Sequence, residues 1–592
     1  MNTPDRRILA VSLLLSLRLL AQPQERTARL VGLWGGEQNF GPQIRGELTI
    51  LRSGKEWTAT IGGIRAPVHM ERGAVTFTLA GGQGRFRGRV IGNSTRIAGH
   101  WVQPLGTATA ASWATPVDLE AMNANAWRGT VTPLSETVSL YLDVRRETDG
   151  SFNAALRNPD GYFQNGRARP VLEGAHLRLL SIDNGATLLE GTYTDAGGSD
   201  DKSDRLALFL PDLKTTFGLV RRARDEAVGY YPRTPPEPRY SYHPPLAEPE
   251  GWRTASLAEV GLDEVKVSAL VQKIIDVDPA KQTSPLVQGL LIARHRRLVL
   301  EEYFYGFDKE RPHDLRSAGK TFASVLFGIA LEKGAKLDVR EKVYSLFPEY
   351  STFANPDPRK QDMTVEHLMT MTSGFDCDEN GNENAPGNEE KMQSQTAQPD
   401  WYKFMLDIPL AHAAGQTFAY CSGGVNLIGG IVRNRTGRWL PDLFREGLAQ
   451  PLQMHAYHFN LTPSGEGYLG GGLHLRPRDE LKLGQAYLDG GTWNGRRLVG
   501  KAWIAKSIAH PASLAGTDGY DWHLHEIKVG DHVVREYEAS GNGGQFLIVL
   551  PELDLAVVFT AGNYQNYGVW RRFRDEFLPQ YIIPAVKGGQ GN

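Results

Sequence analysis

The stretch Leu315-Arg316-Ser317-Ala318-Gly319-Lys320-Thr321-Phe322 sets a hydroxyl and an amine three residues apart. Directly behind it, Phe322, Val325, Leu326 and Ile329 recur at helical spacing up to a stop at Gly334. A serine opening that helix would have its hydroxyl one turn from Lys320. A free serine hydroxyl is a poor nucleophile until an adjacent base takes its proton. Burial and neighbouring dipoles lower a lysine's pKa towards neutrality, which would let Lys320 be that base. The helix N-terminus would supply amides for a developing oxyanion. Spacing alone is weak evidence, because Ser199-Asp200-Asp201-Lys202 has it too. That copy lies in a polar run with no apolar helix behind it, and is read as surface.

A third polar group comes from Phe418-Ala419-Tyr420-Cys421-Ser422-Gly423-Gly424, which precedes a helical run starting at Val425. A tyrosine on a tight loop beside a lysine can shuttle a proton as phenol or phenolate. The run Asp376-Cys377-Asp378-Glu379-Asn380-Gly381-Asn382 begins like a calcium loop, but its twelfth position is Gly387 rather than glutamate. An acidic loop near the cleft is the expectation. His367, three residues after the N-cap candidate Thr364, is expected to be structural, and His412 to lie at the surface. With no His or Cys spacing of a metal site, neither metal nor cofactor is expected.

Two or three domains are expected to carry these groups, since 592 residues exceed one compact core. Residues 1–21 read as a signal peptide: Arg6-Arg7 followed by an apolar run to Ala21, too short to span a bilayer freely. No later run is long and apolar enough to span, so an exported protein is expected, periplasmic, secreted or tethered by its N-terminal segment. Residues 27–224 alternate apolar and polar residues between turns, as in Gly46–Leu51, Trp57–Ile61 and Val75–Leu79. That is an all-β antiparallel meander or barrel, with two internal repeats expected at 27–118 and 119–224. Residues 225–251 are Pro-rich and read as a semi-rigid linker. From 252 to 587 strands at both ends enclose helices, an α/β domain with an antiparallel sheet. Formal net charge is −2, so no global field attracts nucleic acid, and a small-molecule partner is expected. Cys377 and Cys421 are no disulfide framework; in an exported protein a single bridge could persist, and spacing leaves its existence open.

Taken together, residues 287–584 resemble the serine β-lactamase and penicillin-binding-protein superfamily, in its class C β-lactamase-related branch of esterases, amidases and peptidases. Ser317-x-x-Lys320 matches the first motif and Tyr420-Cys421-Ser422 the second; Met363–Gly374 and Gly470–Asp479 are similar as well. The resemblance implies an acyl-enzyme on Ser317, with Lys320 and Tyr420 managing its proton and Ser422 orienting them. It places the oxyanion between the Ser317 amide and one from Gly541-Asn542-Gly543. In Ala539-Ser540-Gly541, Ala539 replaces the usual cation of the third motif. Without it a penicillin or stem-peptide carboxylate loses a partner. An esterase or amidase similar to 6-aminohexanoate-dimer hydrolase is therefore expected ahead of a β-lactamase or DD-peptidase. A penicillin-binding-fold sensor or surface binding protein is the non-enzymatic alternative.

Overall fold

The structure, a computed structural model of the chain, describes residues 26–92, 95–161, 165–196, 204–235 and 239–587. The expected signal peptide and the second Ser-x-x-Lys copy lie outside the described residues.

The N-terminal half is all β. Eight strands form a closed barrel: Gly32–Asn39, Thr137–Arg146, Phe152–Arg157, Gly166–Glu173, His176–Ser181, Thr187–Thr194, Arg205–Leu210 and Thr215–Arg221. Alternation sets its interior, because successive side chains in a strand point to opposite faces. Val138, Leu140, Leu142 and Val144 of one strand face in, and meet Leu206, Leu208 and Leu219. The other N-terminal strands form a second sheet, running from Ile64–Pro67 through Gly46–Ser53 to Ser112–Asn123 and beyond. The two β-units are not consecutive in sequence. Gly32–Asn39 joins the barrel of later strands, whereas Ala126–Val131 pairs with Gly46–Ser53 in the sheet of earlier ones. Strands thus cross the 118/119 position in both directions, since alternation fixes which face is buried but not which strand is the neighbour.

The C-terminal half is built on a seven-stranded sheet in the order Arg253–Thr254, Arg297–Tyr303, Val287–Arg294, Leu555–Ala561, Gln545–Leu550, His532–Gly541 and His523–Val529. Its central strands are continuous apolar runs because both faces are covered. Leu290 and Ile292 pack with the Glu264–Ile275 helix and Phe573, Phe577 and Ile582 on one face. Leu291 and Ala293, together with Leu547 and Val549, meet the helices Thr321–Glu332, Ser422–Thr436 and Pro477–Leu488 on the other. The expected stripe Val267, Leu270, Val271 and Ile274 is buried, and Asp263 caps its helix by accepting from the amides of Val265 and Lys266.

The two halves share hydrogen bonds as well as surface. Ser112, Trp113 and Ala114 pair antiparallel with Leu461, Asn460 and Phe459. Those residues pair through Leu473–Leu475 with His313–Asp314, which leads directly to Ser317. Buried His100 lies between Asp442 at 3.1 Å and the Tyr457 hydroxyl at 2.8 Å. Buried Arg445 donates to the carbonyls of Gly99 and Val117 and to Asp118. The Pro-rich segment is strapped down at several points. Tyr230 donates to Asp143, Tyr240 to Glu302, and Glu250 accepts from Arg476. Among the described residues no helix is long and apolar enough to cross a membrane.

Candidate active site

Ser317 lies in a 3-10 turn, Arg316–Lys320, which runs straight into the Thr321–Glu332 helix. Lys320 Nζ donates to Ser317 Oγ at 3.0 Å, and Lys320 is 3% exposed. Arg316, one residue before Ser317, has a left-handed φ of +49°. For a non-glycine residue this conformation costs about 1–3 kcal/mol and persists only where surroundings enforce it. Here Asp314 Oδ1 accepts the Arg316 amide at 2.9 Å and Asp314 Oδ2 pairs with the guanidinium at 2.8 Å. Another guanidinium nitrogen donates to the Gly161 carbonyl at 2.9 Å, and the group lies over the Tyr564 ring.

Tyr420 reaches the same point from the loop before the Ser422–Thr436 helix. Its ring centroid is 4.9 Å from Lys320 Nζ. The Met363–Gly374 segment braces this loop, with the Ala419 amide donating to the Met371 carbonyl at 2.9 Å. His367 plays the structural part expected of it: its amide donates to Thr364 Oγ1 and its ring accepts from the Thr364 amide. His412 is exposed.

Two features differ from expectation. Ser422 does not touch the lysine–tyrosine pair through a hydrogen bond; its hydroxyl and amide both donate to Glu379, at 2.7 and 2.8 Å. The Lys320 pKa is raised rather than lowered. Burial alone would lower it, but Tyr420, Glu389 and Glu379 together outweigh that cost. Neither glutamate carries a sequence signature. Burial pushes the Glu379 carboxyl up to about 7, Lys320 pulls it down, and Glu389 pushes it further up. Glu389 itself accepts from the Tyr468 hydroxyl. The clue to Glu379 in the sequence was its place in the acidic run Asp376–Asn382, expected near the cleft.

Cys377 and Cys421 are bonded, with Cα atoms 5.4 Å apart. The bridge ties the acidic loop to the residue after Tyr420, and the Glu379 amide donates to the Tyr420 carbonyl at 3.0 Å. It spans a sequence separation of 44 residues. Reducing it is expected to cost about 2–4 kcal/mol of stability, read from denaturant melts with and without a thiol reductant. Coincident melts would show that the loop is held without the bridge.

The third motif forms the end of the His532–Gly541 strand and its turn into Gln545–Leu550. A Cβ at Gly541 would lie 2.3 Å from the Leu315 carbonyl oxygen, so only glycine lets this strand touch the Ser317 turn. Asn542 lines the cleft beside Ser317, its side chain accepting from the Gln565 amide at 2.7 Å. Gly543, at φ +98°, turns the chain under Tyr564. Ala539 is buried and brings no charge. Ser540 lines a small cavity with Ser317, Lys320, Asp521 and His523. His523 has a raised pKa: burial alone would lower it, but its 2.9 Å contact with Asp518 prevails. Asp521 is held well above the carboxylate range by burial, partly offset by Lys320. Both groups escaped the sequence reading, because a lone Asp or His before a strand has no distinguishing pattern.

A hydroxyl, a buried amine and a phenol therefore converge, flanked by carboxylates and by backbone at the turn of a strand. A family model described as Beta-lactamase matches residues 272–572. The 6-aminohexanoate-dimer hydrolase of Paenarthrobacter ureafaciens is 24% identical over 264 residues, 43% of this chain and 65% of that protein, so a third of that relative is unmatched. Among solved structures, EstCE1, described as a hydrolase with promiscuous acyltransferase activity, is 18% identical with a TM-score of 0.44 over 56% of this chain and all of that one. A penicillin-binding protein homologue from Caulobacter crescentus is 16% identical, with a TM-score of 0.40 over 51% of this chain and 93% of that one. With the matched segment taking in just over half of its length and all of the residues just described, the chain belongs to the β-lactamase family.

Proposed function

We propose that the protein is a serine hydrolase that cleaves an ester or amide bond through an acyl-enzyme on Ser317. The contact between Lys320 Nζ and Ser317 Oγ carries this reading. Ser317 Oγ attacks the substrate carbonyl as its proton passes to the Lys320–Tyr420 pair. The developing oxyanion is met by the amides of Ser317 and Asn542. Protonation of the leaving group by the same pair, followed by attack of water, releases the acyl group. Because the Lys320 pKa is raised, the ammonium is the form that acts at neutral pH. The Tyr420 phenol, whose ring centroid is 4.9 Å from that ammonium, is the group through which the serine proton is relayed. Glu379, anchored by Ser422 and by the disulfide, is a positioning residue that favours that ammonium. The disulfide also supports an oxidising compartment outside the cytosol. An uncharged Ala539 favours esters and simple amides over penicillins and stem peptides, which present a carboxylate.

A fluorophosphonate probe tests the nucleophile. It should label the wild type and spare Ser317→Ala, and equal labelling of both would reject the assignment. The electrostatic part has its own test in the pH–rate profile of Glu379→Gln. Removing a carboxylate that raises the Lys320 pKa should move the alkaline limb, where the ammonium is lost, to lower pH. An unmoved limb would mean that Glu379 does not act through Lys320.

A further inference from the structure

The cleft at Ser317 is large, about 970 Å³, and the C-terminal half supplies only part of it. One wall holds Ser317, Asn542 and Gly470–Gly472; facing residues come from 102–113 in the N-terminal half. That segment links the strands Arg96–Val102 and Ser112–Asn123. Gln103 N donates to the Trp113 carbonyl at 3.1 Å and Gly106 N to the Ala111 carbonyl at 2.9 Å, closing it into a hairpin.

One carboxylate then fixes its shape. Glu136, 1% exposed, accepts from the amides of Thr107 at 2.8 Å and Ala108 at 3.2 Å, and from Thr109 Oγ1 at 2.6 Å. A Cβ at Gly106 would lie 1.5 Å from Glu136 Oε1, so this clamp requires glycine. Trp113 Nε1 donates to Thr109 Oγ1 at 3.3 Å, and the Trp113 ring stands edge-on to cleft-lining His474 at 4.6 Å. Burial lowers the His474 pKa to about 4, which leaves a neutral ring there. The clamped loop holds Leu105 at the cleft, 70% exposed.

The chemistry of the wall is uniform. Residues 102–113 include no charged side chain. Of the cleft's charged groups, Arg316 is paired with Asp314 and Asp160 with Arg311, Glu389 accepts from the Tyr468 hydroxyl, and Arg85 stands on the N-terminal side. Ser317 stands between two spaces: it lines this cleft with Asn542, and it lines the small cavity with Lys320, a member of the pair through which the leaving group takes its proton. A chain lying along this wall is therefore joined to the carbonyl on its acyl side. We propose that residues 103–113 form an acyl-chain subsite, with Leu105 and Trp113 selecting esters or amides whose acyl part is extended and apolar where it meets them. This rests on the acyl-serine reading above.

The test uses the full chain and p-nitrophenyl acetate, butyrate and octanoate. In the wild type kcat/KM should climb with acyl length. Leu105→Asp, on an exposed side chain, should cut the octanoate-to-acetate ratio about tenfold or more, the effect expected of losing one apolar contact in a subsite. Glu136→Ala, which releases the loop, should lower the ratio through KM rather than kcat, with Glu136→Gln restoring part of it. Thermal melts and the rate of fluorophosphonate labelling report whether each variant is folded with its serine accessible. An active wild type whose ratio is unchanged in Leu105→Asp would overturn the subsite and leave the hydrolase standing. Selection for the length of the alcohol instead of the acyl chain would do the same. A wild type inert to every ester and to the probe would overturn both.

Discussion

Ser317→Ala is expected to abolish turnover of every ester and amide that the wild type hydrolyses, a loss on the order of 10⁶-fold in kcat. The magnitude follows from the acyl-enzyme route: without Oγ no covalent intermediate forms, and only binding and oxyanion stabilisation are left. The substitution removes one oxygen from a half-buried position and leaves the Thr321–Glu332 helix intact. The melting temperature should therefore stay close to that of the wild type, and substrate should still bind. Steady-state assays with a sensitive ester, beside a thermal melt, decide this. Activity surviving within tenfold of the wild type would move the nucleophile elsewhere.

Lys320→Met comes next in size. Methionine nearly matches the length of lysine and suits a site that is 3% exposed, so packing is kept while the ammonium is lost. Proton transfer by a positioned side chain is worth about 100- to 10,000-fold, and a fall of roughly 1,000-fold in kcat with little change in KM is expected. On the proposed route hydroxyl and amine act as one unit, so the double variant Ser317→Ala/Lys320→Met should be no slower than Ser317→Ala alone. Multiplicative losses would show that Lys320 works apart from the serine. Glu379 and Asp521 should both be neutralised more readily once the ammonium is gone, because Lys320 lowers the pKa of each, in Glu379 beside the two hydrogen bonds from Ser422.

How much of this was legible in the sequence depended on whether a residue's role was local. Ser317 and Lys320 share one turn, and the apolar stripe behind them announced the helix that buries the amine. Tyr420 was readable from its place before a glycine-rich helix. Gly541 could be read as part of a motif, though only the structure shows that the Leu315 carbonyl oxygen leaves no room for a side chain. The acidic loop holding Glu379 was expected near the cleft, but its action on Lys320 was not legible, and Glu389, which opens the short Glu389–Gln393 helix, had no signature at all. Burial was expected to lower the lysine's pKa because the opposing influence of Tyr420, Glu389 and Glu379 was not weighed against it.

The fold divides the same way. Period-two alternation marked strands throughout 27–224, and the unbroken apolar runs at 545–550 and 555–559 marked a sheet covered on both faces. Pairing was the missing part. Nothing local says that Gly32–Asn39 lies beside Thr137–Arg146, or that Ser112–Ala114 pairs with Leu461–Phe459. The second of these contacts carries the N-terminal half to the mouth of the cleft. It explains how a loop remote in sequence from Ser317 comes to line the same cavity.

Mass spectrometry of the wild-type protein, quenched in acid during turnover of a slow ester, addresses the covalent step itself. A mass increase equal to the acyl group, mapped to the peptide containing Ser317 and absent after the substrate is exhausted, is the predicted result. Turnover with no adduct under any quench, or an adduct on another residue, would contradict it.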